Sequence, residues 1–89
     1  MKPVKISFSK HAEDELDRMD APLRRVFLKH AEKIAAMPPR RHLRFGLPFN
    51  VEDATRQARL VYEIKGGNLT VLHCFSSHKD YEKWYQSFK

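Results

Sequence analysis

Two β-rich runs, Ala58 to Ile64 and Leu69 to Phe75, are separated by Lys65-Gly66-Gly67-Asn68. Paired glycines between such runs are a strong short-range signal for a β-hairpin, and once the hairpin forms the pleat decides which side chains share a face. Counting the loop as two residues or four places Ile64 opposite Leu69, Tyr62 opposite Val71, Leu60 opposite His73 and Arg59 opposite Cys74. Leu60, Tyr62, Ile64, Leu69 and Val71 then make an apolar face that must be covered. Arg59, Val61, Glu63, Thr70, Leu72 and Cys74 make a less apolar one.

The rest of the chain supplies the cover. Val4 to Phe8 alternates and reads as a first strand. Ser9 is a natural N-cap, Glu13, Asp14 and Glu15 cluster where the helix dipole favours them, and Ala12, Leu16 and Met19 recur at helical spacing. Asp20 caps a second helix with Pro22 in its first turn, and Leu23, Val26, Phe27, Ala31, Ile34 and Ala35 form its apolar stripe until Pro38 and Pro39 stop it. Phe49 to Glu52 reads as a short strand and Asp53 to Gln57 as a polar turn. After the hairpin, Ser77-His78-Lys79-Asp80 resembles a capping box, and Tyr81, Trp84, Tyr85 and Phe88 follow as an aromatic stripe, a pattern that usually docks a terminal helix. The expected fold is α/β of the α+β kind. A two-helix hairpin packs on a small, mainly antiparallel sheet in the order β-α-α-β-β-β with a short C-terminal helix, as one domain over residues 1–89.

Length and charge bound the function. Eighty-nine residues exclude the large cofactor folds, and the lone Cys74 closes no internal disulfide and favours a reducing compartment. No apolar run approaches the ~20 residues of a membrane span, so a cytoplasmic protein without membrane partners is expected. The formal charge is +6, from 17 Lys and Arg against 11 Asp and Glu. The middle of the chain is its most basic part. Arg40, Arg41, His42 and Arg44 stand together without an acid, which suits a polyanion such as RNA or DNA, the acidic face of a partner protein, or simply solvent.

Neither metal nor cofactor is expected. His73, Cys74 and His78 are too few for a closed zinc site, Gly66-Gly67 sits in a hairpin rather than before a helix, and no serine occupies a nucleophile elbow. Arg59 and the pair His78 and Tyr81, one helical turn apart, are instead expected to converge at one end of the sheet. RNA carries its own nucleophile, a 2′-hydroxyl beside the phosphate. It needs a base for that proton, cations for the developing charge and an acid for the leaving 5′-oxygen, so metal-free cleavage to a 2′,3′-cyclic phosphate and a 5′-hydroxyl is accessible to Arg, Lys, His and Tyr.

The order of elements, the strand Ala58-Arg59-Leu60-Val61-Tyr62-Glu63-Ile64 and the ending Ser77-His78-Lys79-Asp80-Tyr81-Glu82-Lys83-Trp84 resemble the RelE/ParE superfamily of toxins from type II toxin–antitoxin systems. The ending is closest to the HigB branch, whose last strand often finishes in a Thr-His-Lys-Glu-Tyr-Asp pattern. The resemblance implies a ribosome-dependent messenger-RNA endonuclease that works in the decoding site. A small cognate antitoxin would neutralise it, and DNA would be met only through a toxin–antitoxin operator complex.

Carried over on this resemblance, Arg59 holds the scissile phosphate and His78 and Tyr81 share base and acid duties. Lys79 is a phosphate contact, and Arg40, Arg41, His42, Arg44 and Arg56 complete the RNA-binding set. Each has an ordinary alternative: Arg59 as a surface arginine, His78 as a helix-start residue, Tyr81 as packing. His73 is expected on the core-facing side of the sheet edge. Glu52-Asp53 departs from what belongs beside an RNA phosphate, although a carboxylate is a general base in another branch. The ParE branch shares the fold and poisons DNA gyrase, so a gyrase inhibitor or an inactive partner-binding relative is the rival.

Overall fold

The computed structural model describes residues 5–36 and 49–87. Its elements are β1 (Lys5–Phe8), α1 (Lys10–Asp17), α2 (Ala21–Ala36), β2 (Asn50–Asp53), β3 (Arg59–Lys65), β4 (Asn68–Phe75) and α3 (His78–Gln86). This is the expected order. The four strands make one mixed sheet, β1-β4-β3-β2, in which β1 runs parallel to β4 and the other pairs are antiparallel. Val4, Pro38, Pro39, Arg40, Arg41, His42, Arg44 and Phe88 lie outside the described residues. No described helix is long and apolar enough to cross a membrane.

Local chemistry sets the helix ends. The Ser9 hydroxyl accepts from the Ala12 amide at 3.1 Å and donates to the Leu72 carbonyl at 2.7 Å, so one side chain starts α1 and fastens it to β4. The Asp20 carboxylate accepts from the Leu23 amide to start α2, and Arg24 reaches back to the carbonyls of Leu16 and Met19, closing the end of α1. Ser77 caps α3 by accepting from the Asp80 amide. The caps read in the sequence are those of the structure.

Both helices of the N-terminal pair lie on one face of the sheet. Ala12 and Leu16 of α1 and Phe27, Ala31, Ile34 and Ala35 of α2 bury against Leu60, Tyr62, Leu69, Val71 and Cys74. Burying such side chains stabilises by roughly 1.5 to 3 kcal/mol for each large one, which makes this layer the main source of stability.

The hairpin closes through Gly66-Gly67, with Lys65 paired to Asn68 and Gly66 at φ +58°, a backbone region that glycine enters without strain. Ile64 pairs with Leu69 and Tyr62 with Val71, as expected. Beyond them the register shifts. A bulge between Val61 and Tyr62 leaves Leu72 as the extra residue, so Val61 pairs with His73, Leu60 with Cys74 and Arg59 with Phe75. The expected pairings of Leu60 with His73 and Arg59 with Cys74 are therefore corrected by one residue. The same shift turns Cys74 to the helix side, where it is buried.

The second face is not open. Phe49, Val61, Phe75 and Tyr81 form a second buried cluster, with Val51, Leu72, Trp84 and Tyr85 packed against it. This is the docking seam of α3. Its aromatic rings lie at 4.8 to 6.3 Å centroid separations, the usual range for tilted and offset pairs.

Candidate functional site

The start of β3, the end of β4 and the start of α3 meet at one end of the sheet, because Arg59 opens β3 opposite Phe75 and only Ser76 and Ser77 separate Phe75 from α3. Arg59 is firmly held there. Its Nε lies 3.1 Å from Asp53 Oδ1 across the β2–β3 pair, and its Nη1 donates to the carbonyls of Thr55, Arg56 and Ala58 at 3.0 to 3.3 Å. The guanidinium side chain is 14% exposed while Asp53 is 66% exposed. Arg59 therefore organises the 54–58 turn, its mostly buried cation covered by a counter-ion that is itself largely in solvent.

His78 opens α3 and Tyr81 follows one turn later, their ring centroids 6.1 Å apart in an edge-on arrangement. The two rings are neighbours with different surroundings. His78 is 40% exposed and has Glu82 as an ion-pair partner at 3.7 Å. Tyr81 is 8% exposed and packs against Phe75, Trp84 and Tyr85. Lys79 and Arg56 are exposed, Lys79 in the first turn of α3 and Arg56 in the β2–β3 turn. Phe75 links the two parts of the site: it pairs with Arg59 across the β3–β4 ladder and its ring lies 6.1 Å from that of Tyr81.

The carboxylates Glu52 and Asp53 both have partners. Glu52 Oε2 lies 3.0 Å from His30 Nδ1 and joins β2 to α2. Burial, with Glu52 adding to it, pushes the Tyr62 hydroxyl up to about 12. Asp53 is taken by Arg59.

Sequence reasoning missed a second constellation. β1 stops pairing at Phe8 opposite Val71, so β4 runs on with an uncovered edge, and Glu15 of α1 fills it. Its Oε1 accepts from the Cys74 amide at 2.7 Å and its Oε2 lies 2.9 Å from His73 Nδ1. His73 is therefore not a core-facing residue opposite Leu60 but an edge residue opposite Val61, clamped by a helix carboxylate. Its ring stacks on His11 at 5.3 Å and on Phe75 at 5.0 Å, with Trp84 tilted at 5.0 Å. The one local signal was the i, i+4 spacing of His11 and Glu15 on α1. Beside this edge, Glu15, Arg18, Cys74, Phe75, Ser76 and Asp80 help to line a groove of about 520 Å³. Burial and then Glu15 push the Cys74 thiol up to about 12, so it is no nucleophile. Among the described residues, no three His, Cys, Asp or Glu side chains converge as metal ligands.

No protein-family model matches the sequence, and comparison with curated proteins finds no match. Solved structures do match. The toxin–antitoxin complex RelBE2 of Mycobacterium tuberculosis aligns with a TM-score of 0.72 at 18% identity, covering 83% of this chain and 98% of that chain. A YoeB/ParE toxin from Agrobacterium tumefaciens gives 0.69 at 18% identity, covering 81% and 96%. The YoeB dimer of Staphylococcus aureus gives 0.69 at 15% identity, covering 83% and 97%. The three helices and four-stranded mixed sheet of the described residues are thus the α+β fold of these RelBE2, YoeB/ParE and YoeB structures, which their names give as toxin–antitoxin proteins.

Proposed function

We propose that this chain is the toxin of a toxin–antitoxin pair and an endoribonuclease that cleaves messenger RNA on the ribosome without a metal. One observation carries the reading. On a fold held in common with such toxins, a preorganised guanidinium and a histidine–tyrosine ring pair lie at the same end of the sheet. In the reaction the 2′-hydroxyl attacks the adjacent phosphorus and the 5′-oxygen leaves, giving a 2′,3′-cyclic phosphate and a 5′-hydroxyl. Arg59 exchanges Asp53 for the phosphate and offsets its charge. His78 and Tyr81 move the protons, and His78, the more exposed of the two, meets the substrate first. Lys79, Arg56 and the basic run Arg40, Arg41, His42 and Arg44 draw in the RNA backbone. The ending Ser77-His78-Lys79-Asp80-Tyr81 allies the chain with the HigB branch. A cognate antitoxin restrains it in the cytoplasm, and operator DNA is met only in that complex.

Tyr81, packed in the aromatic cluster and 8% exposed, favours a second reading, a non-catalytic partner binder or gyrase poison on the same fold. Expression of the wild-type chain, Arg59→Ala and His78→Ala without antitoxin separates the two. The nuclease reading expects growth arrest and new messenger-RNA ends from the wild type and loss of both from the variants. Arrest without new ends, accompanied by lost supercoiling activity, supports the gyrase reading.

A further inference from the structure

His73 and Glu15 have the geometry of a base and its orienting carboxylate, and we propose that His73 is the group that takes the 2′-hydroxyl proton. The inference rests on the endoribonuclease reading and names a catalytic residue within it. Glu15 cannot drift: one oxygen is fixed by the Cys74 amide at 2.7 Å and the other lies 2.9 Å from His73 Nδ1. A carboxylate only accepts, so Nδ1 carries the hydrogen and the lone pair of the neutral ring is left on Nε2. The ring cannot turn either, because His11 and Phe75 stack on it and Trp84 leans against it. At 15% exposure for His73 and 20% for Glu15, the pair is sheltered yet reaches solvent at the uncovered part of β4.

His78, the base suggested by the chain's ending, has none of this. It is 40% exposed and its ion-pair partner Glu82 is 3.7 Å away on the same helix. A base held in one tautomer and one orientation has already lost the freedom that a floppy one must surrender at each turnover. His73 lies one ring layer from Tyr81, with Trp84 5.0 Å from His73 and 6.3 Å from Tyr81, and its strand ends at Phe75 opposite Arg59. The protons balance. Nε2 removes the 2′-hydroxyl hydrogen as O2′ bonds to phosphorus, the P–O5′ bond breaks, and His78 gives O5′ its proton. Imidazolium and imidazole then exchange protons with water to restore both. Glu15 touches no substrate and is a positioning residue.

The test is single-turnover cleavage of messenger RNA on purified ribosomes by the wild type, His73→Ala, His73→Gln and Glu15→Gln. Both His73 variants are expected to lose roughly 10²- to 10⁴-fold in rate. Added imidazole should restore part of the His73→Ala loss and none of the His73→Gln loss, where the cavity is filled. Glu15→Gln keeps an acceptor for the Cys74 amide but presents an N–H to Nδ1. That moves the ring hydrogen to Nε2, so the maximal single-turnover rate should fall while the ribosome concentration giving half that rate stays unchanged. A folded His73→Ala that cuts within about threefold of the wild type, or a loss that imidazole leaves untouched, overturns the role of His73 while leaving the nuclease reading in place. A wild type that cuts no RNA overturns both. Should His73→Ala fail to fold, wild-type-like cutting by His73→Gln is the overturning result.

Discussion

Arg59 and Asp53 are held 3.1 Å apart across the β2–β3 pair, and the acid is far more exposed than the base it neutralises. Asp53 stands largely in water, where its charge is screened, so a phosphate that takes its place at the guanidinium displaces a weakly held acid. Asp53→Asn should therefore bind single-stranded RNA about two- to fivefold more tightly than the wild type, and the gain should vanish in an Arg59→Ala background. Fluorescence anisotropy at fixed salt reads this; weaker binding by Asp53→Asn would contradict it.

The same arginine is part of the scaffold. Its Nη1 serves three carbonyls of the 54–58 turn, an arrangement the single ammonium of lysine does not reproduce. Arg59→Lys should lower the free energy of unfolding by about 1 to 2 kcal/mol while retaining the charge. Urea titration of the two proteins measures it, and equal midpoints would show that the turn does not depend on the guanidinium.

Cys74 is the lone thiol and is buried under α1 beside the Glu15 carboxylate. Burial first, and Glu15 second, push it up to about 12, so almost no thiolate exists at pH 8. The native protein should resist alkylation at that pH and react at once when unfolded. Rapid stoichiometric labelling of the folded chain would be inconsistent with this environment.

Cys74 and Tyr62 also fix the alkaline limit. Their ordinary values are 9.0 and 10.0, and each is raised to about 12 in the folded protein. The unfolded chain therefore loses these protons first. The stability the two groups contribute is complete below pH 9 and falls as pH rises toward 12. Urea unfolding of the wild type and of a Cys74→Ala, Tyr62→Phe double variant, at pH 8 and pH 11, should show a smaller loss between the two pH values in the variant. Equal losses would contradict the shifts.

The sequence carried the local half of this structure. Ser9, Asp20 and Ser77 announce helix starts because a cap acts within three residues, and Gly66-Gly67 announces a hairpin because the turn needs a positive φ. The Leu72 bulge has no such marker, neither glycine nor proline, and it alone moved Cys74 to the helix side and put Phe75 opposite Arg59. Glu15 looked like an acid answering the helix dipole. Its actual task, closing a strand edge 58 residues away at His73, depends on where β1 stops, which no window around Glu15 reveals. Arg59, His78 and Tyr81 were legible as residue types at a strand start and a helix start. The place of Tyr81 in an aromatic seam was one of the readings its helical stripe offered, whereas the engagement of Arg59 with Asp53 was not legible, because it depends on how β2 lands beside β3.

Whether this molecule cuts RNA by an internal 2′-oxygen is decided by the ends it leaves. Purified protein mixed with ribosomes carrying a messenger should yield fragments whose 5′ ends accept phosphate from polynucleotide kinase without prior phosphatase, and whose 3′ ends are 2′,3′-cyclic phosphates. Intact messenger, or fragments that begin with a 5′-phosphate, would contradict the mechanism.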